Sequence, residues 1–424
     1  MRRTERNPHP DASEREALSR RELLAAAAAA VAAGSCGASG DDLAAAAAEA
    51  SAAEPDAPAG MRYRTLGRTG LRVSEIGFGG VPIDDPEVLL HAAERGVNYV
   101  DTSPCYRGGR SERTIGEALA KRRDRFVVTT KWCPHHFGKE PRKQVFLDSL
   151  DGSLERLRTD HVDVVLNHEV GKRSDGLGFA RLENPEMLEA FETAKKAGKV
   201  RFLGASGHDG DLMDVMTRAV DSGHFDVLLC RYSFLDYPDQ QKLIDRAHAA
   251  GVGFVCMKTL AGAKGADLER FRGRNATFKQ AALKWVLANE RVSNLVISIS
   301  SRRQVDEYAA ASGSAMTLAE RAALAEYAAE FSDQICRFCN RCEPACPHDV
   351  RIADALRFSM YFHEYGERER ALESYAALEP AARAGSCAAC PGYCVPACSY
   401  GLPVRDLLLR AHAALGRERG SATA

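Results

Sequence analysis

Between residues 75 and 299, eight short apolar runs alternate with seven helix-length stretches, and this alternation restricts the fold more than anything else in the chain. The runs 75–78, 98–101, 126–130, 162–166, 200–205, 225–229, 253–257 and 294–299 are mostly Val, Leu, Phe and Ile, with little of the polar alternation of a half-exposed strand. The stretches 87–95, 111–122, 143–157, 185–197, 212–222, 240–250 and 278–288 carry apolar residues at helical spacing. Successive strands joined by a helix must pair in parallel. Eight such units at this length predict the α/β class and a (β/α)8 barrel over 61–315. At 424 residues the chain is longer than one barrel, so a further domain is expected.

In that barrel the second strand ends on Asp101, with Tyr106 five residues on, and the third ends on Lys131. Two neighbouring strands therefore bring an Asp, a Tyr and a Lys to one rim, where α/β folds place their chemistry. A Tyr hydroxyl titrates near 10 and is a poor acid at neutral pH. A nearby ammonium favours the phenolate and lowers that value, and a carboxylate behind the Lys holds it charged and oriented. The plainer alternative is that Asp101 caps a loop, Tyr106 packs on the rim and Lys131 is solvated.

The stretch Asp-Thr-Ser-Pro-Cys-Tyr-Arg-Gly-Gly-Arg-Ser-Glu at 101–112, followed by Thr-Thr-Lys at 129–131, resembles the aldo-keto reductases. Their pattern is Asp-Thr-Ala-x-x-Tyr-Gly-x-x-x-Ser-Glu. A fourth match is His168, at the end of the run that begins at Val162. The resemblance covers roughly 61–308, with four motifs in the family's order. It implies that Tyr106 is the general acid, assisted by Lys131 and Asp101, that His168 orients a carbonyl, and that the polar hairpin at 61–73 closes the barrel bottom. It also implies NADP(H), held by Ser206 after the fifth strand and by Ser300 and Gln304 after the eighth. Other cofactor positions depart from the family: Gly207 stands for an Asn, Leu229 for a Gln, Ser298 for a Gly and Tyr308 for an Asn. Arg302 or Arg303 could meet a phosphate at the start of the helix that follows.

Eight of the thirteen cysteines fall between Cys336 and Cys398. The other five are scattered, and Cys105, Cys133, Cys230 and Cys256 read as small apolar residues of the barrel. Cys336, Cys339, Cys342 and Cys346-Pro347 have the spacing of a bacterial ferredoxin cluster site. Cys387, Cys390, Cys394 and Cys398 form a second set with one extra residue and Ser399 in place of Pro. In paired sites the fourth Cys serves the other cluster, which predicts Cys336, Cys339 and Cys342 with Cys398, and Cys387, Cys390 and Cys394 with Cys346. Two [4Fe-4S] clusters are expected, with zinc on the same ligands as the alternative. The forty residues between the sets read as helical, at 352–361 and 368–378. The region 316–424 thus resembles the α-helical ferredoxin of respiratory iron–sulfur subunits, a tail that one subgroup of the aldo-keto reductases carries.

Residues 1–36 resemble a twin-arginine export signal: Arg20-Arg21, an Ala-rich core, then Gly34-Ser35-Cys36. Cys36 also lies in a weak lipoprotein-like box, as a candidate lipid anchor. Residues 37–60, rich in Ala, Asp, Glu, Pro and Gly, read as a flexible linker. No run of 18 strongly apolar residues suggests a transmembrane helix. The 57 basic and 58 acidic residues leave no net charge that would attract nucleic acid. The expected protein is an exported oxidoreductase that couples a small carbonyl or alcohol substrate and a nicotinamide to the clusters and to a redox partner protein. Two rivals stand beside it. One is an exported electron-transfer or partner-binding protein whose barrel no longer turns over NADP(H). The other is a cytoplasmic NADPH reductase with a structural cluster tail. The loops 134–141, 171–184 and 260–275, which would select the substrate, carry no readable pattern.

Overall fold

The computed structural model describes residues 60–138, 141–170, 178–207, 212–235, 239–260, 277–365 and 367–416. Arg20-Arg21, Cys36, nearly all of the linker and much of the loops 171–184 and 260–275 lie outside the described residues.

Strands β1 (Tyr63–Thr65) and β2 (Arg72–Ser74) form an antiparallel hairpin. The next eight are β3 (Ile76–Gly79), β4 (Tyr99–Asp101), β5 (Val127–Trp132), β6 (Val162–Asn167), β7 (Val200–Gly207), β8 (Val227–Arg231), β9 (Gly253–Met257) and β10 (Asn294–Ser298). They pair in parallel in chain order, and β10 closes on β3. The inward residues Tyr99, Val164, Leu166, Val227, Leu229 and Val255 pack the barrel centre. The larger core lies between barrel and helices, where Phe78, Trp132, Phe146, Phe254 and Phe278 are buried. That two-sided burial is why the strands read as unbroken apolar runs.

The surrounding helices are α1 (Pro86–Glu94), α2 (Arg110–Arg122), α3 (Lys143–Leu157), α4 (Gly178–Leu182), α5 (Pro185–Lys196), α6 (Leu212–Ser222), α7 (Asp239–Ala249), α8 (Phe278–Leu287) and α9 (Arg302–Ala309). Their starts follow from local chemistry. Asp85 and Asn184 each cap a helix whose first residue is Pro, and Thr277 with Gln280 forms a capping box. The hairpin seals the barrel end opposite the strand C-termini. Arg64 donates to the carbonyls of Leu287, Asn289 and Val292, and Arg68 to those of Gly223 and Phe225. Gly67 has φ +51, and a Cβ there would lie 2.3 Å from the Gly253 nitrogen, so the hairpin sits this close only because the residue is glycine.

After the barrel come α10 (Leu318–Phe331), α11 (Ile352–His363), α12 (Arg368–Ala376) and α13 (Val404–Leu415). The last three build a second core from Ile352, Leu356, Phe358, Tyr361, Tyr375, Val404 and Leu408, with Cys342, Cys387 and Cys394 inside it. Helix α10 packs elsewhere. Its Ala323, Leu324 and Tyr327 join the barrel core, Tyr327 lies 4.7 Å from the Phe278 ring, and Glu320 accepts from Lys284 at 2.8 Å. A boundary at 316 therefore runs ahead of a helix that belongs with the barrel by packing. Among the described residues no helix is long and apolar enough to cross a membrane.

Candidate active site

The ladders set the site. Asp101 pairs with Thr129 across β4 and β5, so Lys131, two residues on, points to the same side beyond it. Lys131 donates to Asp101 Oδ1 at 2.5 Å and to the Thr102 carbonyl at 2.7 Å, and both side chains are almost fully buried. Tyr106 begins a turn in which Arg107, Gly108 and Gly109 all have positive φ, which swings its ring back over the strand ends. The Lys131 ammonium lies 4.7 Å from that ring's centre, and the Tyr106 hydroxyl is 3.5 Å from Asp101 Oδ2. His168 follows β6, its backbone amide donating to the Trp132 carbonyl, and its ring meets that of Tyr106 edge-on at 6.0 Å. The four residues expected to act together do meet.

Their electrostatics differ from expectation in one respect. Burial pushes the Asp101 carboxyl up and the Lys131 ammonium down, and their attraction opposes both shifts. Tyr106 is held well above the ordinary phenol value, first by burial and then by Asp101, with Arg370 acting the other way. Lys131 was expected to lower it. Instead its charge is engaged by Asp101 and a carbonyl, so the hydroxyl faces the carboxylate more than the ammonium.

Ser111 and Glu112, part of the motif but given no role from sequence, brace this arrangement. Ser111 bonds Thr102 at 2.8 Å and the Gly80 carbonyl at 2.7 Å. Buried Glu112 accepts from Thr130 at 2.6 Å and from Arg156 at 2.6 Å. They fix the residues next to Asp101 and Lys131. Cys105 and Cys133, read from sequence as packing residues, form a disulfide beside the site, and Cys133 Sγ is 3.8 Å from His168 Nδ1. No short motif joins two cysteines 28 positions apart. Only the pairing of β4 with β5 brings them together.

The four residues line a solvent-open cavity with Glu169, Ser206, Leu229 and Lys258. Barrel residues such as Met257, Val296 and Ser298 line it too, and the C-terminal region adds Tyr361 of α11, Arg370 of α12, and Tyr365 and Glu367 from the connection between them. Ser206 is buried in the cavity wall. Ser300 and Gln304 are not among the residues that line it. They bond each other at 3.1 Å at the start of α9, where Ser301 caps the helix. Arg302 and Arg303 are exposed there. Gly207 has a packing reason: a Cβ would lie 2.6 Å from the Val170 carbonyl, so an Asn has no room.

The cysteine sets lie on two loops against the second core. The Cys336 thiol is pushed up to about 12, mainly by burial, and Cys339 and Cys398 are the cysteines acting on it. Cys342 is raised by burial and by Cys336, Cys339 and Cys398. Cys387 is pushed up to about 11 by burial, with Cys346, Cys394 and Cys390 around it. Cys394 has Cys346, Cys390 and Cys398 for neighbours. Cys346 is thus within electrostatic reach of the second set, and Cys398 of the first set as well as of Cys394 in its own. Backbone amides reach two sulfurs, Phe338 to Cys336 at 3.3 Å and Gly392 to Cys390 at 3.5 Å. Arg405 ties the second loop through the carbonyls of Cys387 and Cys390.

A model of the Aldo/keto reductase family matches residues 78–275. L-galactose dehydrogenase of Arabidopsis thaliana is 30% identical over 288 residues, which is 59% of this chain and 88% of that protein. L-glyceraldehyde 3-phosphate reductase of Escherichia coli K12 is 24% identical over 60% of this chain and 88% of its own length. Among solved structures, the holo form of aldo-keto reductase AKR11C1 from Bacillus halodurans matches at 25% identity and a TM-score of 0.51, covering 63% of this chain and 96% of that one. An aldo-keto reductase from Klebsiella pneumoniae in complex with NADPH matches at 24% identity and a TM-score of 0.52, covering 62% and 94%. At that identity the likeness is one of fold.

Proposed function

Because the chain belongs to the aldo/keto reductase family and is an oxidoreductase of that type, we propose that it interconverts a small carbonyl compound and its alcohol with NADP(H), and that its C-terminal cysteines hold two [4Fe-4S] clusters. The observation that carries the first half is the convergence of Asp101, Tyr106, Lys131 and His168 on one cavity.

A nicotinamide fits that cavity. Buried Ser206 presents a hydroxyl to it beside apolar Leu229 and Val296. When bound, the nicotinamide supplies or accepts the hydride. The chain's own residues handle the proton. Tyr106, kept neutral by burial and by Asp101, gives its proton to the carbonyl oxygen in reduction and takes it back in oxidation. The phenolate left behind has the Lys131 ammonium 4.7 Å from its ring, and Asp101 holds that ammonium in place. His168, edge-on to Tyr106, donates to or orients the same oxygen.

The reach of Cys398 to the first set and of Cys346 to the second supports clusters, as do the amide hydrogen bonds to sulfur. Among the described residues, no three of these eight have sulfurs all within 4.8 Å of one another. A tetrahedral zinc with bonds of about 2.3 Å would need them roughly 3.8 Å apart. Cys336, Cys339, Cys342 and Cys398 would hold one cluster, and Cys346, Cys387, Cys390 and Cys394 the other, each carrying single electrons to a redox partner protein. Arg20-Arg21 and the Ala-rich stretch after them support export by the twin-arginine route, which carries folded, cofactor-loaded proteins. Lipid anchoring at Cys36 belongs to the same proposal.

A second reading rests on Gly207 and Leu229. With two family contacts to the nicotinamide replaced, the barrel would serve as an electron-transfer or binding partner without turnover. Anaerobic purification of the intact chain, with iron, sulfide and released nucleotide counted, decides between them. About eight irons with bound NADP(H), and turnover of small aldehydes, is the expected result. Clusters without nucleotide and no oxidation of NADPH would favour the second reading, and zinc in place of iron would remove both.

A further inference from the structure

The catalytic cavity holds a cation that the proton chemistry above does not use. Lys258 follows β9 with φ +56, a backbone conformation that side-chain-bearing residues rarely adopt. Its ammonium is 3.3 Å from the Tyr361 hydroxyl and lies over the rings of Tyr361 and Tyr365, at 4.9 and 5.7 Å from their centres. Among the described residues no carboxylate pairs with it. Arg370, which lines the same cavity, is engaged by Glu367 at 2.7 Å and lies 4.7 Å from the centre of the same Tyr361 ring. Tyr361 thus contacts two positive groups. Although burial alone would raise its hydroxyl, Lys258, Arg370 and Arg357 together bring it below the ordinary phenol value. Tyr106, Tyr361 and Arg370 line the same cavity.

Glu169 and Glu367 line the same cavity, but a half-buried ammonium held by aromatic faces and paired with no carboxylate among the described residues is a site for an anion. We propose that Lys258, positioned by Tyr361 and Tyr365 and backed by Arg370, is an anion-binding subsite, and that the substrate is a carbonyl compound or alcohol bearing a carboxylate or phosphate. This rests on the carbonyl–alcohol reading of the same cavity. It makes the C-terminal helices part of the substrate site, whatever the clusters do. A phosphate of the nicotinamide cofactor has the same chemistry and is the competing source of the anion.

The test uses the intact, cluster-loaded chain. Binding of benzoate and of inorganic phosphate is measured by titration for the natural protein, Lys258→Met and Lys258→Arg. In parallel, NADPH affinity is measured, and turnover of 4-carboxybenzaldehyde is compared with that of its methyl ester. The expected result is a loss of about 30-fold in benzoate affinity and in kcat/KM for the carboxylate with Lys258→Met, the scale of one charge-assisted hydrogen bond. Lys258→Arg restores most of it, while NADPH affinity and the ester's kcat/KM hold. A drop in NADPH affinity with no change in preference between the aldehydes overturns the proposal and assigns the anion to the cofactor. Failure of the natural protein to bind benzoate or phosphate overturns it regardless of turnover. Anion binding without turnover of either aldehyde leaves the subsite standing and sinks the reductase reading instead.

Discussion

Lys131 and Asp101 form a buried ion pair at 2.5 Å, and the ammonium of that pair lies 4.7 Å from the centre of the Tyr106 ring. One contact therefore serves both stability and proton transfer. Replacing Lys131 by Met leaves Asp101 buried without its counter-charge. The expected cost is about 3–5 kcal/mol in urea unfolding, together with loss of turnover. Tyr106→Phe removes only a hydroxyl, and should lower kcat by roughly 10²–10⁴-fold while stability and nucleotide affinity hold. Equal losses of kcat in Tyr106→Phe and of nucleotide binding would contradict the role of proton donor.

The raised Tyr106 hydroxyl sets the alkaline behaviour. An acid whose pKa lies above the ordinary 10 keeps its proton through the neutral and mildly alkaline range, so carbonyl reduction should not lose its acid between pH 6 and 9. The stability sign follows. The folded value lies above the unfolded one, so this contribution is whole below about pH 10 and is lost as pH rises past it. A kcat profile that falls with an apparent pKa near 7 would mean that some group other than Tyr106 is the donor.

His136 works in the opposite direction. Its imidazole is pushed down to about 4, first by burial and then by His135 and Arg156, and Nδ1 accepts from the Cys133 amide at 3.1 Å. A folded value below the unfolded one of about 6.5 adds stability above that pH and loses it as pH falls toward 4. With the ring only partly buried, the expected loss is about 1–2 kcal/mol between pH 7 and 4, read from urea midpoints and absent in His136→Gln.

A crossed assignment of the cysteines predicts an unusual pattern of iron loss. On the proposed assignment, Cys398→Ser should disturb a cluster on Cys336, Cys339 and Cys342, and Cys346→Ser one on Cys387, Cys390 and Cys394. Iron analysis and low-temperature electron paramagnetic resonance on the two variants check this. If Cys398→Ser instead removes the cluster of its own sequence set, the crossed assignment fails.

Restoring the family's Asn at Gly207 should fail. The new Cβ would press on the Val170 carbonyl at 2.6 Å and on Met216 at 2.8 Å, so Gly207→Asn should lose about 1–3 kcal/mol in thermal or urea unfolding. Nicotinamide affinity should not improve. A stable variant that binds NADPH more tightly would show that the strand end can shift.

What could be read directly from the chain was everything encoded by near neighbours. The apolar runs that became β3 to β10, the Lys143–Leu157 helix, and the spacing that ends β4 on Asp101 and puts Lys131 in β5 all depend on residues a few positions apart. What tertiary packing alone decided were meetings across long separations. The pairing of Asp101 with Lys131 was legible in the sequence, but not that burial and Asp101 would raise the Tyr106 hydroxyl where the ammonium was expected to lower it. Cys105 found Cys133, and α10 joined the barrel core, where its Tyr327 met Phe278. Tyr361 and Arg370 entered a cavity whose catalytic residues lie more than 190 positions earlier in the chain. Periodicity tells a segment what shape to take and which face to bury. Only the packing of those faces against one another determines which side chains share a space too small for water, and there burial and a single carboxylate outweigh the charges that a sequence makes visible.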